Sequence, residues 1–344
     1  MICLGIESTA HTIGIGIIDD QGKVLANEKS VFTTETGGLK PGKIVEHHVL
    51  MYDFVLQRAL ETLAKQSLAG HSGTRSASES GIKLKDIDLV SFSQGPGLGG
   101  CLRVGAAAAR ALATYLKVPL VGVNHPVAHV EIGKLTSGFK DPITLYVSGA
   151  NTQILALAAG KYRVFGETLD VGVGNFLDSF GRALGLGFPQ GPKIEELAAK
   201  SKNYVELPYT IKGMDFSFSG ILTKLEQLAK TGKYSKEDLC YSAQETVFAI
   251  LTEATERAIA HINKKEILLT GGVAANKRLA EMLEVMARER NVKFAAVPKE
   301  LAGDNAAMIA WLGILEHKAG RKLKISETVV NQDWRTDQVE VKWA

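Results

Sequence analysis

The sequence predicts an α/β fold, a duplicated β-sheet domain with flanking helices. Three observations predict it: a three-strand start that occurs twice, a strand running into a Gly-rich turn and a helix that also occurs twice, and a composition able to fill two cores. Of 344 residues, 45% are hydrophobic and 22% charged, which excludes a disordered or low-complexity chain and allows two domains.

The first copy opens with β-rich runs at Ile2–Ile6 and Ile13–Ile18, then Val24–Ser30 after the turn Asp19-Asp20-Gln21-Gly22. A helical period covers Ile44–Ser67, followed by a strand at Leu89–Ser93, a Gly-rich loop at Gln94–Gly100, a helix over Ala106–Leu116 and a strand at Leu120–Val123. The second copy starts with Ile143–Val147, Thr152–Ala158 and Tyr162–Thr168. Later Ile267–Thr270 runs into Gly271-Gly272-Val273-Ala274-Ala275-Asn276 and a helix, and a strand at Lys293–Ala296 and a helix from Asp304 to about His317 close it. Residues 66–81 break the pattern: eight of the sixteen are Ser or Gly, so a mobile surface loop, most simply a tolerated insertion, is expected there. A cleft between the two halves is the natural ligand site.

Composition narrows the function. Lys and Arg number 40 against 37 Asp and Glu, and the net charge of +3 gives no reason by itself to expect a coat for nucleic acid or membrane. The longest apolar run, Ala306–Leu315, has about half of the ~20 residues that cross a bilayer, so it reads as a buried helix. The start Met1-Ile2-Cys3-Leu4-Gly5-Ile6-Glu7 has no basic region and Glu7 interrupts its apolar run, which predicts no secretory signal and a cytoplasmic protein. Cys3, Cys101 and Cys240 are far apart without CxxC spacing, and read as small buried apolar residues.

Three Gly-rich turns follow strands: Ser93–Gly100, Ser148-Gly149-Ala150-Asn151 and Gly271–Asn276. Glycine lets backbone N–H groups approach a phosphate closely, and the following helix adds its positive end. None matches a P-loop or GxGxxG, and any one alone reads more readily as a packing turn; their recurrence favours a nucleotide. His125 and His129 fall on one helical face if Asn124 caps a helix with Pro126 in its first turn. That is metal-ligand spacing, although a polar helix face gives the same pattern. Proline stands where the HExxH metalloprotease motif needs glutamate, which disfavours that chemistry. Tyr146 and Asp304 would complete an N₂O₂ set suited to iron or zinc. Asp178 and Glu195 either accept from ribose hydroxyls or satisfy helix dipoles.

Gly5-Ile6-Glu7-Ser8-Thr9-Ala10, Phe92–Gly99, Gly122-Val123-Asn124-His125-Pro126-Val127-Ala128-His129, Leu145–Gly149, Gly166–Asp170, Lys212–Asp215, Gly271–Asn276 and Gly303-Asp304-Asn305 closely resemble the archaeal and eukaryotic form of the tRNA threonylcarbamoyladenosine transferase family, once labelled a glycoprotease family. The resemblance spans nearly the whole chain. It implies a two-lobed actin/sugar kinase/heat-shock-type ATPase fold. The implied lobes are residues 1–139, with 319–344 returning to them, and residues 140–318.

The implied activity is transfer of a threonylcarbamoyl group from its adenylate to N6 of the adenosine 3′ of the anticodon, in tRNAs reading codons that begin with A. The implied cofactors are one divalent metal, iron(II) before zinc, on His125, His129, Tyr146 and Asp304, and an adenine nucleotide, threonylcarbamoyl-adenylate or ATP. The nucleotide would contact Tyr146, Val147, Ser148, Gly149, Ala150, Asp178, Gly191, Glu195 and Asn276. The implied partners are tRNA and the other subunits of the KEOPS complex, a small dimerising subunit on the N-terminal lobe and a small kinase on the C-terminal lobe, with no membrane. No general base is assigned; His47 and His48 read as packing, RNA contacts or candidates for that role.

The chain departs from the family pattern at several places. Ala150 and Gln190 each stand where relatives carry glycine, and Gly99-Gly100-Cys101 replaces a more usual Pro-Ser/Ala turn. Lys40-Pro41-Gly42-Lys43 displaces a basic residue by one position, and the 66–81 insertion is atypical. A small-molecule kinase on the same fold lacks an evident catalytic aspartate. An ATP-dependent chaperone-like subunit has no need of the His/His/Tyr/Asp set.

Overall fold

The computed structural model describes residues 1–34, 39–69 and 82–344. They form two compact units, one made of the described residues of 1–32, 39–132 and 304–344, the other of 33–34 and 133–303.

In the first unit β1 (Ile2–Glu7), β2 (Thr12–Asp19) and β3 (Val24–Val31) form an antiparallel meander. Helix α1 (Pro41–Ala69) follows, then β4 (Leu89–Gly95), α2 (Gly99–Leu116), β5 (Leu120–Asn124) and α3 (His125–Ser137). The sheet order is β3-β2-β1-β4-β5, with β4 and β5 parallel to β1. Strands β1, β2 and β4 are buried almost throughout, as expected of strands covered on both faces by helices.

The second unit repeats that plan. Strands β6 (Ile143–Val147), β7 (Thr152–Ala158) and β8 (Lys161–Glu167) form the meander. After them come α4 (Val173–Ala183), α5 (Gly191–Ala198), the two-residue strands β9 (Ile211–Lys212) and β10 (Asp215–Phe216), α6 (Ser219–Thr231) and α7 (Lys236–Ile262). Strand β11 (Glu266–Thr270), α8 (Lys277–Glu289), β12 (Lys293–Ala296) and the short α9 (Lys299–Ala302) complete it. Its sheet order, β12-β11-β6-β7-β8, is that of the first sheet element for element. The chain then re-enters the first unit through α10 (Ala306–Lys318).

The re-entry comes at Asp304, ahead of the expected Ala319, and packing explains it. Helix α10 is apolar all round and buried over Ala306–Ala310, so it needs cover on every side, and it lies on β1, β2 and β4. Glycines in those strands let it come close: a Cβ on Gly5 would sit 2.4 Å from Ala306 O, and one on Gly16 would sit 2.2 Å from Ala307 N. The first unit likewise ends at Ile132 inside α3, ahead of the expected 139. Gln66–Ala69 continue α1 where a loop was expected, and the remainder of that segment, 70–81, lies outside the described residues. Helix α2 starts at Gly99, within the expected Gly-rich loop. All three cysteines are buried and free.

Candidate functional site

In the first unit, β5 delivers the chain into α3 at its C-terminal end. Asn124 Oδ1 accepts from Val127 N at 3.2 Å, so the cap expected from the sequence is present, and His125 and His129 stand one turn apart. Asp304 lies just before α10, whose own cap is Asn305, with Oδ1 accepting from Met308 N at 3.0 Å.

The three side chains meet. Asp304 Oδ1 is 3.4 Å from His125 Nε2 and 3.5 Å from His129 Nε2, the imidazoles pack edge to face at 82°, and one ligand atom from each residue lies within 4.8 Å of the others. Two donors held tetrahedrally at the ~2.1 Å usual for a zinc-type ion lie ~3.4 Å apart, so the Asp304–His spacings fit one shared cation. Two imidazoles and a carboxylate are donors for iron or zinc rather than for calcium or magnesium.

Electrostatics separates the two histidines. Burial alone would lower His125, but the Glu7 and Asp304 carboxylates reverse that and hold it up at about 10. His129, buried among the same groups, is lowered chiefly by burial. Burial would raise Asp304, yet its bonds to both imidazoles keep it well below the usual carboxylate range.

Glu7 is the contact that sequence reasoning missed. Its Oε2 is 2.9 Å from His125 Nδ1, and its Oε1 accepts from Thr9 N at 2.7 Å and from Thr9 Oγ1. The signal was in plain view: a carboxylate at the end of an apolar strand needs a buried partner. His47 and His48 lie in α1. His47 Nε2 lies 2.9 Å from Ser30 Oγ, and burial pushes the enclosed His48 down to about 4.

The remaining expected residues lie in the second unit. Tyr146 and Val147 end β6 and are buried. Ser148, Gly149 and Ala150 form the turn into β7, with Asn151 N donating to Ser148 Oγ at 3.1 Å. Gly174 N donates to Ser148 O and Asn175 N to Gly149 O, which seats the start of α4 on that turn. Gly172 and Gly174 allow it, since a Cβ on either would meet the turn's backbone within 3 Å. Ala150 is not among the described residues with left-handed backbone, so its methyl imposes no backbone strain on the turn.

The neighbouring strand β11 ends beside β6, with Thr270 paired to Tyr146, and Gly271 at φ 100° turns against Val147. This is the carboxyl edge of a parallel pair, where α/β sheets bind ligands. Asp178 Oδ1 accepts from Gln190 N at 3.2 Å just before Gly191 opens α5, and Glu195 Oε1 accepts from Lys277 N at 2.9 Å. Asn276 caps α8: its Oδ1 accepts from Arg278 N and Leu279 N, and its Nδ2 donates to Gln244 Oε1 at 2.9 Å. Hydrogen bonds thus tie Asp178 to the start of α5, and Glu195 of α5 to the start of α8, which Asn276 caps after β11.

Comparison with known proteins gives this arrangement a context. The chain matches the family model described as TsaD, tRNA N6-adenosine threonylcarbamoyltransferase, over residues 23–311. A protein of that name from Thermococcus kodakarensis is 55% identical over 343 residues, covering 100% of both chains. A probable bifunctional tRNA threonylcarbamoyladenosine biosynthesis protein from Methanocaldococcus jannaschii is 50% identical, covering 100% of this chain and 60% of its own. Among solved structures, HypF of T. kodakarensis superposes with a TM-score of 0.61 at 15% identity, over 96% of this chain and 49% of that one, a likeness of fold alone. The duplicated sheets are those of the actin/sugar kinase/heat-shock ATPase class, and among the described residues no helix is long and apolar enough to cross a membrane. Sequence identity over the full length and a matching family model agree, and the chain belongs to the tRNA N6-adenosine threonylcarbamoyltransferase family.

Proposed function

We propose that this transferase moves a threonylcarbamoyl group from threonylcarbamoyl-adenylate to N6 of the adenosine 3′ of the anticodon, in tRNAs that read codons beginning with A. The observation that carries the reading is the buried His125/His129/Asp304 cluster in a member of this family.

These three residues would hold one divalent ion, iron(II) before zinc, with Tyr146 supplied by the family resemblance as a fourth donor. Such an ion supplies Lewis acidity toward the transferred carbonyl or a hold on the threonyl carboxylate. The chain's own groups do the rest. The exposed residues Gly149 and Ala150 of the turn offer backbone amides to the leaving phosphate, and Asp178 and Glu195 accept from ribose hydroxyls. Gly191 and Asn276 would complete the nucleotide site. Because the adenine amine is a poor nucleophile, positioning of the two substrates carries much of the rate.

A cytoplasmic setting and KEOPS-type partners belong to the same reading. Val49, Leu50 and Phe54 on α1 and Tyr115 on α2 are large, apolar and exposed, which supports docking of a small dimerising subunit on the first unit. The bifunctional relative, of which this chain covers 60%, supports a separate partner protein, in this reading the small kinase.

The test is metal analysis together with transfer to unmodified tRNA in the presence of purified partners. His129→Ala is expected to lose both metal and transfer. Wild-type transfer by metal-free enzyme would overturn the metal assignment, and no transfer from synthetic threonylcarbamoyl-adenylate would overturn the donor.

A further inference from the structure

We propose that Glu7 is a positioning residue for the metal centre: its carboxylate fixes the ring of His125 so that Nδ1 keeps its hydrogen and Nε2 is the atom that ligates a cation shared with Asp304 and His129. The inference rests on the metal reading above and adds to it a residue from outside the ligand set.

The geometry assigns the two ends of His125 different tasks. Nδ1 lies 2.9 Å from Glu7 Oε2, while Nε2 lies 3.4 Å from Asp304 Oδ1, on the side shared with His129 Nε2. An imidazole that ligates a cation has given up its second hydrogen and keeps one N–H; a carboxylate is an acceptor only, so the Glu7 contact holds that hydrogen on Nδ1 and leaves Nε2 as the donor to the cation. Glu7 is itself locked. It is fully buried at the end of β1, and Oε1 accepts from both the backbone N and the hydroxyl of Thr9. Thr9 Oγ1 also approaches His125 Nδ1 at 3.4 Å, but the nearer carboxylate takes the hydrogen. The relay Thr9–Glu7–His125 therefore runs from the loop after β1 to the first turn of α3 and sets both tautomer and ring angle. An outer partner of this kind changes metal affinity about 10–100-fold.

A purely structural role would make Glu7 only a buried charge satisfied by His125, and Co²⁺ separates the two roles. Its affinity is measured by chelator competition and its ligand-field bands by absorption, on the full chain of wild type, Glu7→Gln, Glu7→Asp, Thr9→Val and His129→Ala, each checked for folding by a metal-free melt. Glutamine keeps the shape and lets its amide donate to Nδ1, which would place the imidazole hydrogen on Nε2. Glu7→Gln is expected to weaken Co²⁺ at least tenfold with shifted bands, Glu7→Asp to recover part of the loss, and Thr9→Val to weaken it a few fold. Glu7→Gln that binds Co²⁺ within twofold of wild type with unchanged bands overturns the proposal. If Glu7→Gln does not fold, Thr9→Val with unchanged affinity and bands overturns it. Absence of Co²⁺ uptake by wild type, or full uptake by His129→Ala, instead overturns the metal reading on which the proposal stands.

Discussion

His125 and His129 differ in what their loss leaves behind. Removing His125 strands the buried Glu7 carboxylate, and an uncompensated buried charge costs about 3–5 kcal/mol, so His125→Ala should unfold far more easily than His129→Ala. Urea unfolding of the two metal-free variants checks this, and equal midpoints would contradict it. Asn276 has its oxygen and one amide hydrogen committed within the unit, so Asn276→Ala should lose about 1 kcal/mol from the cap alone. Calorimetric titration with an adenine nucleotide alongside the melt then shows whether affinity falls as well.

Glu316 is a third residue with a distinct signature. Burial, only partly opposed by Arg321, pushes its carboxyl up to about 7. A folded value above the unfolded one means that its contribution is fully present below the ordinary carboxylate range and is lost as pH rises through about 7, by about 3 kcal/mol at most. Wild type should therefore lose more stability between pH 4 and pH 8 than Glu316→Gln does. Parallel melting curves for the two across that range would refute the assignment.

At the scale of elements, α10 sits where it does because β1 and β2 carry glycine beneath it. Gly16→Ala would put a methyl carbon 2.2 Å from Ala307 N, which only a shift of helix or strand relieves. The expected cost is at least the 1–3 kcal/mol typical of overpacking, and because Asp304 leads into that helix, metal affinity should fall with stability. A fold-stability assay and Co²⁺ titration on Gly16→Ala test both, and the exposed Gly42→Ala, with nothing near its Cβ, is the control. The strands and long helices were legible in the sequence because their patterns are local: β12 has the expected bounds, β1 and β5 run one residue further at one end, and β2 one residue further at each end. The two-residue strands β9 and β10 were not, since so short a ribbon exists only through its pairing and leaves no period to read.

Across the whole molecule, the last 26 residues brace the first unit. Gln94 Nε2 donates to the carbonyls of Glu327 and Val329, Arg110 donates to Thr328, and Asn124 Nδ2 donates to Trp334 O at 3.1 Å. Asn124 is also the cap of the helix that carries both histidines. Truncation after Lys318 should therefore cost roughly 3 kcal/mol or more through stranded polar groups, and loosen the metal site as well. A truncated chain that melts and binds Co²⁺ like wild type would refute this. The fold class, the duplication, the histidine pair, its cap and the family were determined by the sequence itself, because each is written in residues close together or in motifs in a fixed order. Tertiary structure alone decided that α10 belongs to the first sheet and that Glu7 stands behind His125, and it brought Asp304, expected with the histidine pair, to within 3.5 Å of both rings. Each of those joins residues more than a hundred positions apart, and the burial that makes such contacts strong exists only once the sheet has brought the strand ends together.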